Sequence, residues 1–122
     1  MTLKNLAKVF GVVFVLVGVL GFVPGVTNSH HMLLGIFQVS ALHNIIHLLS
    51  GVAALVSASS SKNARLYFLV FGAVYSLVAV VGWVQGDTVL GLIHVNVADN
   101  ILHTVLAVAI LGTGLALKPE EA

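Results

Sequence analysis

The sequence has no cysteine, which excludes disulfide bonds and thiolate metal sites and leaves redox compartment unreadable from cysteine usage. It also has little charge, with 7% of its residues Asp, Glu, Lys or Arg against about 25% in an ordinary soluble domain. The net charge of +1 is too small for a nucleic-acid partner. No serine stands with a defined base, no glycine-rich phosphate loop occurs, and no pair of glutamates is placed for acid–base work. Hydrolase and ATPase chemistry therefore have no support, and no catalytic residue is assigned. Gly21-Phe22-Val23-Pro24-Gly25 follows the first apolar run without a small-x-small cleavage site, so that run is read as a helix rather than a removable leader.

What the sequence does have is apolar mass. Hydrophobic residues make up 59% of its 122 positions, and they gather into four stretches: Leu6 to Val23, Ala41 to Ala58, Leu66 to Val84 and Val97 to Leu117. Each is near the ~20 residues a helix needs to cross a bilayer. Charge inside them comes down to Lys8 and Asp99. No polar–apolar alternation points to barrel strands. The expectation is an all-α bundle of four transmembrane helices forming one domain over residues 1–122, with the lipid bilayer as its principal partner.

The five basic residues, Lys4, Lys8, Lys62, Arg65 and Lys118, fall near the first helix's start, between the second and third stretches, and after the fourth. The positive-inside rule then puts both termini in the cytoplasm and turns the segments Pro24 to Val39 and Gln85 to Val95 outward. Thr27 to His31 reads as an exposed turn, and Met32 to Val39 and Thr88 to Val95 as short interfacial or re-entrant segments. Ser40 and Asn96 are placed to cap helices two and four. Helix three should begin near Arg65, and the Trp83 indole suits the outer interface.

The chain repeats itself. Phe10 to Val26 against Phe71 to Asp87, offset by 61, gives 9 identities in 17 positions. Leu33 to Leu55 against Val89 to Leu111, offset by 56, gives 9 in 23. Two units follow, about 6–58 and 66–117, each helix, short segment, helix. A unit that crosses twice inserts its copy in the same orientation, so the pseudo-twofold axis should lie along the membrane normal. Under it His47 matches His103, Asn44 matches Asn100, and His43 matches Asp99.

Gly-Phe-Val-Pro-Gly after helix one, Leu-His-Asn-x-x-His opening helix two and Ala-Asp-Asn-x-x-His opening helix four resemble the bacterial membrane proteins of domain-of-unknown-function family 4383. The resemblance runs from about Leu6 to Leu115 and implies a four-helix protein of the bacterial inner membrane. It carries no activity with it.

Residues four apart on a helix differ by ~40° in direction and ~6 Å in height, so His43 with His47, and Asp99 with His103, form two polar stripes. If helices two and four face each other, three imidazoles and one carboxylate converge beneath the outer face. That is a ligand set for zinc, copper, iron or manganese. Asn44 and Asn100, turned by ~100°, suit supporting donors or hydrogen bonds to neighbouring helices, and His94 is close enough in sequence to cover the site. Haem, or a pigment, held by His47 and His103 is an alternative. So is a structural subunit whose polar cluster only ties helices together, at about 0.6 to 2 kcal/mol per contact. Glycine-bearing faces on helices one and three exceed what a small bundle must bury, so a homo-oligomer, or membership of a larger membrane complex, is a further expectation.

Overall fold

The computed structural model describes residues 2–119, most of them in four helices: α1 (Leu3–Leu20), α2 (Ala41–Ser57), α3 (Ser61–Gln85) and α4 (Val97–Ala116). Each begins where a short polar side chain can take up an amide left free in the first turn. Thr2 accepts from the Asn5 amide at 3.1 Å, Ser40 from His43 at 3.2 Å, Ser60 from Asn63 at 3.1 Å and Asn96 from Asp99 at 2.8 Å. The expected caps on α2 and α4 are thus present. Helices one and three differ from expectation in their bounds. The Thr2 cap starts α1 three residues early and it stops at Leu20, while the Ser60 cap draws Ser61 to Ala64 into α3.

Among the described residues, α1, α3 and α4 are long and apolar enough to cross a membrane. At 17 residues α2 sits at the lower end of the spanning range, rising about 25 Å. The outer surface of the bundle is apolar to match: Val84 is 81% exposed, Val108 70% and Val56 69%.

The segments between α1 and α2 and between α3 and α4 fold into antiparallel hairpins, β1 (Met32–Leu33) with β2 (Phe37–Gln38) and β3 (Thr88–Val89) with β4 (Ile93–His94). Only interfacial or re-entrant placement was expected of them. Each tip is a Leu-Gly pair with positive φ at both residues: 55° and 70° at Leu34 and Gly35, 55° and 67° at Leu90 and Gly91. Glycine adopts that region freely, whereas leucine does so at a cost. The hairpins cross over the bundle. The first leans on α4, where the Asn96 side-chain amide donates to the Ile36 carbonyl at 2.8 Å, and the second leans on α2.

The helices pack as two close pairs, α1 with α2 and α3 with α4, with sparser contact between pairs. Glycine sets the closeness. A Cβ at Gly51 would come within 2.8 Å of the Gly11 carbonyl oxygen, and one at Gly72 within 2.6 Å of the Leu111 Cα. Gly11, Gly18 and Gly21 all face α2, so the glycine stripe of helix one, and Gly72 and Gly82 of helix three, are used inside the bundle. Those glycine faces are covered within the chain and do not speak for an oligomer. Between the pairs run larger side chains: Phe10 meets Phe68 edge-on at 5.6 Å between ring centroids, and Phe14 meets Tyr75 at 5.4 Å. The Tyr67 hydroxyl donates to the Ser50 carbonyl at 3.0 Å.

Two helical glycines separate these effects. Gly72→Ala should destabilise by about 1–3 kcal/mol through overlap with the α4 backbone. Gly112, with open space where its Cβ would be, should gain up to ~1 kcal/mol of helix propensity as Gly112→Ala. Thermal unfolding in detergent should move the two midpoints in opposite directions.

A buried histidine cluster between the helix pairs

His43 and His47 lie one turn apart on α2, and His103 stands at the matching depth on α4. They are 3%, 4% and 2% exposed. Their ring centroids form a triangle of 4.5, 5.5 and 6.2 Å, and one nitrogen from each ring can be chosen so that all three lie within 4.8 Å of one another. The rings of His43 and His47 on α2 meet that of His103 on α4 across the seam between the helix pairs. Aromatic rings wall the triangle: Phe14 lies 5.8 Å from His47, and Tyr75 lies 6.0 Å from His103. The Tyr75 hydroxyl is 2.8 Å from Ser50 Oγ, whose own proton goes to the Ile46 carbonyl at 2.8 Å, which leaves Tyr75 as the donor of the pair.

The cluster lacks hydrogen bonds. Both ring nitrogens of His43, both of His47 and Nδ1 of His103 are buried with no partner in hydrogen-bonding geometry, although the main chain of Gln38 passes close to His43. A buried polar group left unpaired costs about 1–3 kcal/mol, and more than nine in ten such groups in folded proteins avoid it. Five fall on three touching side chains, a group that could hold a metal ion. Imidazole nitrogens are good ligands for zinc, copper, iron and nickel, and side chains converging from facing helices are how bundles hold metals.

A family model described as a domain of unknown function, DUF4383, matches residues 4–116. The chain belongs to the DUF4383 family. No curated protein and no solved structure matches it.

The other site residues of this DUF4383 chain have separate uses. Asp99 is buried but stands outside the imidazole group: its carboxylate accepts from the Asn96 amide at 3.0 Å, closing a capping box, and the main chain of Gln38 approaches it as well. Asn100 ties α4 to the end of α3 by donating to the carbonyls of Gly82 and Gly86, each at 3.2 Å. The Asn44 amide lies against Gly21 as the Asn100 amide lies against Gly82; a Cβ at either glycine would collide with it. Both asparagines therefore pack against neighbouring helices. His94 is exposed on β4 beside Gln38 and Asp87, and it does not cover the cluster. His30 and His31 are exposed. Trp83 stands at the surface, where its indole N–H donates to Thr104 Oγ1 at 2.9 Å.

Phe14, Tyr75 and Ser50 were not singled out from the sequence. A signal existed for two of them, because the offset of 61 that pairs Gly11 with Gly72 also pairs Phe14 with Tyr75. Nothing marked Ser50, a small polar residue in mid-helix.

Loss of the α4 cap tests how firmly this end is fixed. Asn96→Ala removes both the amide acceptor and the tie to Ile36, and should lower stability by about 0.5–2 kcal/mol in thermal unfolding.

Proposed function

We propose that this is a bacterial inner-membrane protein that crosses the bilayer four times and holds one transition metal ion, zinc or copper, through His43, His47 and His103 near the outer face. One observation supports the reading: three buried histidines that can each bring one ring nitrogen to within 4.8 Å of the others, and five of whose six ring nitrogens have no partner in hydrogen-bonding geometry. Zn–N bonds of about 2.0–2.1 Å put two tetrahedral ligand nitrogens about 3.3 Å apart, so modest ring rotations close the set. Three imidazoles without a carboxylate favour zinc or copper over manganese, which prefers oxygen ligands. Three protein ligands leave a fourth position open, as in exchangeable or catalytic zinc sites rather than closed structural ones.

Haem fits less well. The macrocycle of a haem held between His47 and His103 would need the space beside their line of centres, and the His43 ring lies there, 4.5 Å and 5.5 Å from the two rings. A purely packing role leaves the unpartnered nitrogens without a reason, since apolar side chains of similar shape would fill the space at no desolvation cost.

The basic residues support cytoplasmic termini and an outward position for both hairpins. The recurrence of helix, hairpin, helix supports reading the halves as copies of one unit about an axis along the membrane normal. Because the chain has no cysteine, single substitutions test this directly. Ser29→Cys should react with an impermeant maleimide from outside intact cells, and Ser59→Cys only after the membrane is opened; the reverse pattern would overturn the orientation.

Metal analysis of protein purified without chelator, then reloaded with zinc or copper, should give about one ion per chain, released as pH falls because a ligating imidazole must be unprotonated. His47→Phe should abolish loading yet leave metal-free protein at least as stable as metal-free wild type, because it removes two unpartnered nitrogens. A large loss of stability with metal content unchanged would return His47 to a packing role.

A further inference from the structure

The starts of α2 and α4 differ in what they leave unpaired. At α4 the Asn96 amide donates to the Asp99 carboxylate, and Asn100 Nδ2 donates to the carbonyls of Gly82 and Gly86. At α2 the matching donors, the Ser40 amide and Asn44 Nδ2, have no acceptor among the described residues, and the first turn holds no acidic side chain. The Oδ1 atoms of both asparagines are sealed without partners, so what sets Asn44 apart is its nitrogen, which stays accessible. The cause is the longer connection in the first half. Residues 21–31 join α1 to its hairpin where 86–87 join α3 to the other, and they fold back on themselves, the Thr27 hydroxyl donating to the Leu20 carbonyl at 2.9 Å. Between them and the start of α2 lies an open cavity of about 670 Å³. Asn44, 2% exposed, lines it together with Ser40 and Ala41, while Ser29 and His31 line it from the connection. Phe22, 49% exposed, belongs to its apolar side.

We propose that this cavity holds the phosphate group of a lipid head, which supplies to α2 the negative charge that Asp99 supplies to α4. The groups left free at α2 are donors: the Ser40 amide, the first-turn amide of Ala41 and Asn44 Nδ2. They stand at the N-terminus of a 17-residue helix, where the aligned peptide dipoles favour an anion. Neither Asp nor Glu occurs before Asp87, and no carboxylate lines the cavity, so a cation finds no partner there and an anion meets no like charge. Phosphate oxygens can take several donors at once, as they do at other helix N-termini. A free ion would use the donors and gain nothing from the apolar side. A phospholipid uses both, because Phe22 leads onto the apolar flank of α1 and the start of α2 lies at head-group level when the helices span a bilayer. The proposal is independent of the metal reading and of which end of the bundle faces outward.

The test is a titration of the full chain, delipidated in a nonionic detergent and labelled with 15N-asparagine, so that the side-chain amides of Asn44 and Asn100 are read separately. The probe is dioctanoyl phosphatidylglycerol. Its controls are dioctanoylglycerol, which lacks the phosphate, and inorganic phosphate, which lacks the chains. A saturable shift of the Asn44 side-chain amide is expected with the phospholipid while that of Asn100 stays in place, with either control binding at least about tenfold more weakly. His31 has φ of 59°, a backbone conformation that Asp and Asn both tolerate. His31→Asp should therefore fold, and its carboxylate should weaken phospholipid binding about fivefold relative to His31→Asn, which has the same shape without the charge. Ser29→Asp against Ser29→Asn repeats the comparison if the His31 pair folds poorly. No saturable shift at Asn44, an equal shift at Asn100, binding of dioctanoylglycerol as tight as that of the phospholipid, or indifference to the added carboxylate would overturn the proposal. Inorganic phosphate binding as tightly as the phospholipid would overturn the lipid head in favour of a free anion. None of these readings depends on metal content, so loss of the metal reading leaves them unchanged.

Discussion

Close approach at glycine is the constraint on which the rest of the architecture depends. In lipid no hydrophobic force drives one apolar helix onto another, so dispersion contacts at short range must hold them. Gly11 and Gly51 bring α1 onto α2, and Gly72 brings α3 onto the backbone of α4. What is drawn tight within each pair leaves slack between the pairs. The seam is filled by larger groups, Phe10, Phe14, Phe68, Tyr67 and Tyr75, and at the end where α2 and α4 begin by the imidazoles of His43, His47 and His103. The cluster thus follows from where small residues stand: the glycines fix the pairs, and larger side chains of both pairs meet in the seam between them.

The hairpins complete this enclosure from outside. Their strands are only two residues long, too short to be stable alone, and they persist because Leu33, Val39, Val89 and Val95 are buried beneath them. Each carries a leucine with positive φ at its tip, and each tip leucine is about two-thirds exposed. A strained, exposed leucine is costly in water and well placed at a lipid interface, where the apolar side chain has a partner. By leaning on the opposite half, the hairpins also bind the two helix pairs together at the end where α2 and α4 begin.

Much of this was legible in the sequence, for a physical reason. Helix length and apolarity are imposed by the bilayer, so the four helices stand where the hydropathy put them, and the caps at Ser40 and Asn96 follow from local chemistry alone. The meeting of His47 with His103 was legible because the repeat implied equivalent depth. The hairpins were not: a Leu-Gly tip lacks the Asn-Gly signal by which such turns are usually recognised, and two alternating residues on each side carry little periodicity. The use of the helix-one and helix-three glycines inside the bundle was also out of reach, because sequence shows which face is small and not which neighbour it meets.

The sharpest difference concerns the third residue of each polar helix, His43 in α2 and Asp99 in α4. Repeat logic treats them as equivalent and would give both to a common site. Their capping partners divide them. In α4, Asn96 and Asp99 satisfy each other's backbone amides, so the Asp99 carboxylate is held at the helix end. In α2, Ser40 serves the His43 amide, but histidine does not complete the reciprocal half of the box, and its ring turns into the seam. The different residue at this position thus leaves one helix end closed by a carboxylate and the other with an imidazole turned toward two more. The carboxylate is kept for fixing the helix that carries His103.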